Sequence, residues 1–440
     1  MHDFFTHIAA HLDGLMLPHE HYTAWYSAES SDFVRFNRSA IRQPGHVQQR
    51  TLSLGLIAGA THTGCNLSLS GVRETDTAAL TDMVAELRSQ LAELPEDPHL
   101  VLAGEVNNTT HMQASQLPSC DAMVEQILTA AQGYDMVGIL TVGSMVRGFA
   151  NSKGQRNWYQ TSTFNFDWSL FHSTDKAVKS NYAGFSWEAA RFKEKFSDAA
   201  QRLRLLATPP ITVQPGDYRV YLAPAALNAL VGMLNWAGFA EKALRTRHSA
   251  LRRLYAEEVQ LHPALELSED SRTGLAPVFQ TQGFIKPDVV PLLQQGKMVG
   301  SMVSPRSAKE YGVAGNGADE DESATSMVLQ AGTLATQDVL RELGTGIYVS
   351  NLWYLNFSDR ANCRITGMTR FATFWVEDGV IKAPLNVMRF DDSLFRILGD
   401  QLLALTRETE VIMDDRSYGA RSTGGAIVPG AMIAGMKFVL

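Results

Sequence analysis

The chain has 440 residues, a net charge of −8, 45% hydrophobic and 19% charged residues; this is enough for two or three domains with a core that needs no covalent staples. The acidic balance argues against bulk binding to a phosphate backbone. Three scattered cysteines, Cys65, Cys120 and Cys363, form neither a disulfide framework nor a CxxC zinc site, and they suit a reducing cytoplasm.

The first 17 residues lack a basic n-region and carry Asp3 and Asp13, so they do not make a signal peptide. No apolar run reaches the ~18 residues of a membrane span, so none is expected. Phe4, Ile8, Leu12 and Leu15 predict a helix over 3–15. Alternation then predicts strands at 21–28, 33–37, 47–58 and 64–70. Ala79, Met83, Leu87 and Leu91 predict a helix over 76–94, stopped by Leu94-Pro95.

The pattern returns. Met123, Ile127 and Ala130 mark a helix over 120–132, followed by strands at 136–141, 144–151, 155–163 and 164–173. A long helix over 186–206 takes Ser186 as its N-cap, with Glu188 in its first turn. Helix, strands, helix, written twice, suggests an internal duplication, although no residue-level repeat is visible. Breaker-rich Ala207-Thr208-Pro209-Pro210 and Pro215-Gly216-Asp217 divide the chain into an α/β domain, 1–208, and a strand-rich domain, 209–440.

The second domain begins with a strand at 218–222 and helices at 223–236 and 240–255. Residues 314–322, glycine-rich and then acidic, predict an exposed loop. Strands are expected at 327–330, 346–355, 364–375 and 380–387, a helix at 393–405, a glycine-rich stretch at 419–436 and a final strand at 437–440. The fold class is therefore α+β: antiparallel strands with helices, then a strand-rich, barrel-like domain.

Chemistry is sparse. His7 and His11 lie four apart on a helix, which more simply makes a solvated face than a metal site. His19-Glu20-His21 begins like H-E-x-x-H, but Thr23 stands where the second histidine is needed. No G-x-S-x-G elbow or Walker A sequence occurs. Residues 419–425, Gly-Ala-Arg-Ser-Thr-Gly-Gly, predict a turn-forming loop rather than an anion cradle. Cys363 has Arg364 beside it, which could lower a thiol pKa, yet a buried cysteine is the simpler expectation. The carboxylates of 319–322 predict a solvated loop, and Asp392 or Ser393 a helix cap.

Three segments go further. Arg35-Phe36-Asn37-Arg38-Ser39-Ala40-Ile41-Arg42-Gln43 resembles an R-F-A-N-x-x-I-x-Q pattern, with Asn37 and Arg38 departing from it. Phe149-Ala150-Asn151-Ser152-Lys153-Gly154 resembles an x-A-N-S-x-G turn. Gly346-Ile347-Tyr348-Val349, Gly367-Met368-Thr369-Arg370 and Val376-Glu377-Asp378-Gly379-Val380-Ile381 resemble an ordered C-terminal signature, with Thr366 departing from it. In this order they resemble the TldD/PmbA family, associated with the label "modulator of DNA gyrase".

The resemblance implies a subunit of a heterodimeric zinc peptidase. In TldD-like chains a P-G-x-[YF]-x-V-x-L-x-P strand leads into a helix carrying H-E-x-x-x-H, and a later cysteine completes the metal site. Here Pro215-Gly216-Asp217-Tyr218-Arg219-Val220-Tyr221-Leu222-Ala223-Pro224 matches the strand. The motif positions are then Asn228, Ala229 and Met233, and no cysteine follows Cys363. An amide, an alanine and a thioether cannot replace two imidazoles and a general base.

The expectation is a metal-free PmbA/TldE-like subunit, without a cofactor of its own, zinc lying only in a TldD-like partner. Its partners would be that catalytic subunit and extended peptide, with no membrane and no direct nucleic acid. Arg35, Gln43, Asn151, Gly154, Gly367 and Arg370 are carried over as peptide-binding or family-motif positions. The alternative is a stand-alone homodimer that binds peptide without cutting it. A third reading, an enzyme using N-terminal histidines or Cys363, has no motif behind it.

Overall fold

Two large sheets, joined through one long helix, organise the chain. The computed structural model describes residues 1–173, 176–415, 417 and 419–439. The first part runs α1 (His2–Leu15), β1 (Glu20–Asn37), β2 (Ala40–Ala58), β3 (Thr61–Ser68) and α2 (Arg73–Leu91). It continues with β4 (Thr109–Met112), α3 (Cys120–Ala130), β5 (Asp135–Asn151), β6 (Arg156–Ser173), β7 (Lys176–Gly184) and α4 (Ala189–Leu206). The strand order is β3-β2-β1-β5-β6, with β4 and β7 sharing the outer edge of β6.

This order makes the duplication visible. Each copy is a helix, a three-stranded meander and a helix. The copies meet where β1 runs antiparallel to β5, Ser30 opposite Ser144. Tyr22, Ala24, Tyr26 and Ala28 of β1 pack under α1 and α2. Val34 and Phe36, in the same alternation, pack under α3 and α4.

The expected breaks inside these strands are absent. β1 runs unbroken for 18 residues, and β5 and β6 are each one strand rather than two. The run Glu29-Ser30-Ser31-Asp32 looks like a turn because it is polar. It is strand because Glu29 and Ser31 point to the far face and find buried partners there. Pro44 is tolerated within β2 because it lies on the stretch that β3 does not pair. α2 stops at Leu91, before Leu94-Pro95, and α4 begins after Glu188; Ser186 is no N-cap but bridges Gln116.

The second part starts with β8 (Gly216–Leu222) and α5 (Pro224–Asn235). Strands β9 (Leu267–Asp270), β10 (Val289–Gln294), β11 (Lys297–Met298) and β12 (Ser326–Leu329) follow. Then come β13 (Gly346–Asp359), β14 (Arg364–Glu377), β15 (Val380–Pro384), β16 (Arg389–Ser393), β17 (Leu402–Met413) and β18 (Gly425–Phe438). Strands β18, β16, β14, β13 and β8 pair in sequence, and β8 pairs back to β18, closing a barrel-like ring. Gly430 permits that closure, because a Cβ there would stand 2.3 Å from the Tyr221 hydroxyl.

Several expectations fail here for local reasons. The predicted helix over 240–255 is two short turns, Glu241–Arg245 and Arg252–Tyr255, separated by Arg247 at φ +62°. The predicted helix over 393–405 ends at Ile397, and Leu402 opens β17; Gly399-Asp400 was a breaker inside the apolar pattern. Most of the glycine-rich 419–436 belongs to β18, which runs on to Phe438; Leu440 of the expected last strand lies outside the described residues. The acidic loop is half buried: Glu322, 2% exposed, accepts hydrogen bonds from the Ser304 N–H and hydroxyl and from the Lys242 N–H.

The two parts share a core. Tyr221, Tyr348 and Phe374 on one face of the ring pack with Phe192, Phe196 and Ala200 of α4. Arg202 of α4 lies 5.0 Å from the Tyr348 ring centre. No helix among the described residues is long and apolar enough to cross a membrane.

Candidate functional site: the α5 helix and the junction beside it

Pro224 sits in the first turn of α5, where its missing N–H costs nothing. Ala226, Leu227, Leu230 and Val231 are at most 2% exposed and join Val220, Leu222, Ile347, Val349 and Ile433 in one apolar core. This packing fixes where the three motif positions point. Met233 is 5% exposed within that same core. Asn228 and Ala229 lie half-buried on another side, and the Asn228 Oδ1 is buried without a hydrogen-bond partner among the described residues. Met233 is thus committed to the core, away from the side on which Asn228 and Ala229 lie.

The family implies zinc at this helix, and the residues present do not fit it. A thioether in the core, an alanine and one amide oxygen offer no imidazole, no carboxylate and no base. Among the described residues, no three His, Cys, Asp or Glu side chains gather where they could hold a metal.

Beside α5, the loop 419–424 fills the junction between the sheets. Asn235 at the end of α5 exchanges hydrogen bonds with Ala324, and Gly425 N–H donates to Thr325 next to it. From this loop Arg421, 7% exposed, enters the polar face of the first sheet. Its guanidinium donates to the Ser31 hydroxyl, the Gly143 carbonyl, and the Thr163 carbonyl and hydroxyl (2.6–3.3 Å). Its N–H donates to the Glu29 carboxylate, which also accepts from Ser31 and Gln49. Burial outweighs the nearby Glu29 charge and pushes the Arg421 pKa down to about 10. A cavity of about 20 Å³ remains beside it, lined by Thr141, Asn165 and Ser422 among others, the size of a single water.

The other candidate residues are dispersed. Arg35 and Gln43 face each other across β1 and β2, both exposed. Asn151, 6% exposed, accepts hydrogen bonds from the Lys153 and Gln155 N–H groups, and Gly154 turns the chain at φ +87°. This turn rims an open groove of about 470 Å³, where the His21 ring is 3.0 Å from the Ser152 hydroxyl. Gly367 leaves room for the Phe390 ring, which a Cβ would meet at 2.7 Å. Arg370 is exposed, stacked on Trp353. The structure thus brings Arg35 to Gln43 and Asn151 to Gly154, but does not gather the six into one site.

The remaining sequence candidates have structural roles. His7 is exposed and His11 meets Thr81. Glu20 is paired with Arg88. Cys363 is fully buried, and burial pushes its thiol pKa up to about 12, so Arg364 does not activate it. Asp392 pairs with Arg396, and the Ser393 hydroxyl donates to Asn362 instead of capping a helix. Sequence reading missed Arg421 and Glu29. The one available signal was an arginine inside a glycine-rich loop.

Comparison with known proteins places this architecture. Residues 215–439 match the family model of the PmbA/TldA metallopeptidase C-terminal domain. That is half of the chain, and the chain belongs to the PmbA/TldD family of metallopeptidase-related proteins. Three solved structures share the whole fold at low identity. TldE from Thermococcus kodakarensis aligns with a TM-score of 0.79 and 15% identity, over 99% of this chain and 100% of that one. A protein from Thermotoga maritima named as a modulator of a DNA gyrase gives 0.77 and 11%, over 100% of both chains. A Bacteroides thetaiotaomicron protein named as a modulator of DNA gyrase gives 0.75 and 14%, over 99% and 98%. No curated protein sequence matches the chain.

Proposed function

We propose that this chain is a metal-free, PmbA/TldE-like subunit that completes a TldD-type zinc metallopeptidase acting on unfolded peptides. The observation that carries the reading is α5, where Asn228, Ala229 and the core-packed Met233 occupy the motif positions. Hydrolysis of a peptide bond needs an activated water and a stabiliser for the oxyanion. This helix supplies neither, so the chain contributes walls and peptide contacts while the metal and base come from an unlike subunit. Enclosure has a physical purpose: a chamber that admits only extended chains spares folded proteins.

The test is reconstitution with the TldD-like subunit encoded in the same genome. The expected result is a stable complex whose peptide cleavage rate differs from that of the TldD-like subunit alone. Absence of both binding and any rate change would overturn the reading. A stable homodimer that binds peptide and ignores the unlike subunit would establish a stand-alone binding protein instead.

A further inference from the structure

The far end of the β13–β14 hairpin breaks the ordinary rules for an exposed surface. Trp353 is 50% and Tyr354 73% exposed, their ring centres 5.6 Å apart. Trp236, also 50% exposed at the end of α5, leans on Phe357 at 5.9 Å. Tyr354 holds φ at +57°, a left-handed conformation that an aromatic residue rarely adopts. It lies in a bulge where β13 gains residues over β14, and it directs a large ring into solvent.

Two arginines cover these rings. Arg370 stands 5.0 Å from the Trp353 ring centre, and Arg360 stands 4.4 Å from that of Phe357. Neither has a carboxylate within ion-pair distance among the described residues, although the chain as a whole is acidic. The side chain of Arg389, opposite Met368 on β16, donates to the Thr366 hydroxyl and has no carboxylate partner among the described residues. The nearby Asp359 is turned inward onto its own turn, accepting from Ala361 and Asn362. Beyond Val349, moreover, the outer edge of β13 pairs with no strand among the described residues. Aromatic anchors, unpaired arginines and a free strand edge occur together.

We infer that this hairpin is the surface on which an extended, acidic segment of the unlike, TldD-type subunit docks, an inference that rests on the heteromeric function proposed above. The free edge offers main-chain hydrogen bonds to an added strand. Trp353, Tyr354 and Trp236 supply anchors of the kind that dominate interfaces. Arg360, Arg370 and Arg389 select carboxylates on the incoming segment. A second copy of this chain fits worse, because a twofold axis would set these arginines against themselves. A nucleic acid fits worse as well, because the net charge of −8 repels it at longer range.

The test is the affinity of the full-length chain for the full-length TldD-like subunit of the same genome, measured with purified proteins by isothermal titration calorimetry. Two variants address the patch by different means: R360E/R370E reverses charge, and W353A/Y354A removes exposed rings. R42E/R73E makes the same charge change at exposed positions elsewhere. Thermal melts establish that each variant folds. The expected result is a loss of at least about tenfold in affinity for both patch variants, with the control within about twofold of wild type.

Wild-type affinity in both patch variants would overturn the docking surface and leave the proposed function standing. Failure of the wild-type proteins to bind each other would overturn the function itself, and this inference with it. A wild-type homodimer that R360E/R370E dissociates would assign the surface to a second copy. A fluorescent oligothymidylate bound by wild type and released in both patch variants would assign it to nucleic acid. Either result overturns the inference.

Discussion

Met233 stands where the family motif has a histidine, yet it is packed in the apolar core of the ring. An imidazole there would lose its partners to hydrocarbon, so Met233→His is expected to lower stability by about 2–3 kcal/mol, as read from urea unfolding. The triple variant N228H/A229E/M233H is expected to bind zinc no more tightly than wild type, because position 233 is packed in the apolar core and no cysteine follows to complete the set. Stoichiometric zinc by elemental analysis would contradict this. Arg421 makes the complementary case: its alanine variant keeps the backbone N–H bond to Glu29 but removes the buried cation beside that carboxylate and strands the four oxygen acceptors of the guanidinium in a buried junction. Its expected cost is roughly 3–5 kcal/mol, and Arg421→Lys should recover only part of it. A loss of less than about 1 kcal/mol would show that the junction is wetter than its burial indicates.

Glu20 gives a pH dependence of known sign. Arg88 grips its carboxylate at 2.6 and 2.8 Å, the Leu17 N–H adds a bond at 3.0 Å, and these hold its pKa below the ordinary 4.5. A lowered folded pKa contributes stability that is complete above the ordinary value and fades as pH falls through the folded one. Wild type is therefore expected to lose stability on acidification below about pH 4.5, and Glu20→Gln to show a shallower acid limb there. Parallel acid limbs for the two proteins would contradict the assignment.

At the scale of elements, the junction between the first sheet and the second part depends on close packing. Trp25 meets Phe279 edge-on at 5.6 Å, and the Gln155 amide donates to the Gly283 carbonyl. Gly283 lies at φ +86°, and a Cβ there would reach within 2.3 Å of the Phe149 ring. Gly283→Ala is expected to cost more than about 2 kcal/mol, whereas Gly104→Ala, with open space around it, is expected to be neutral. Differential scanning calorimetry distinguishes the two, and equal melting temperatures would contradict this packing.

Elements defined by local periodicity were legible in the sequence. The spacing of Phe4, Ile8 and Leu12 placed α1, and the doubled helix–strands–helix pattern anticipated the two meanders. Elements whose character depends on distant partners were not. Glu29 and Ser31 look like a turn until Arg421, some 390 residues later, is placed against them. Glu322 looks solvated until Ser304 and Lys242 surround it. The degenerate motif on α5 was legible through resemblance to a family, whereas the orientation of Met233 into the core required the fold.

At the scale of the whole molecule, the shared fold extends over nearly the full length of three solved structures, at identities of 11–15%. Architecture survives such divergence because it rests on apolar alternation and strand closure, whereas a metal site rests on three or four donors. A ring kept without those donors on α5 is what the proposed role in enclosure and partner contact requires. The measurement that tests this most directly is native mass spectrometry of the tagged protein purified from its own host, since one spectrum reports partner mass and bound metal together. The account predicts a complex with an unlike, TldD-type subunit carrying one zinc per pair, held by that subunit; a homo-oligomer of this chain retaining stoichiometric zinc would contradict it.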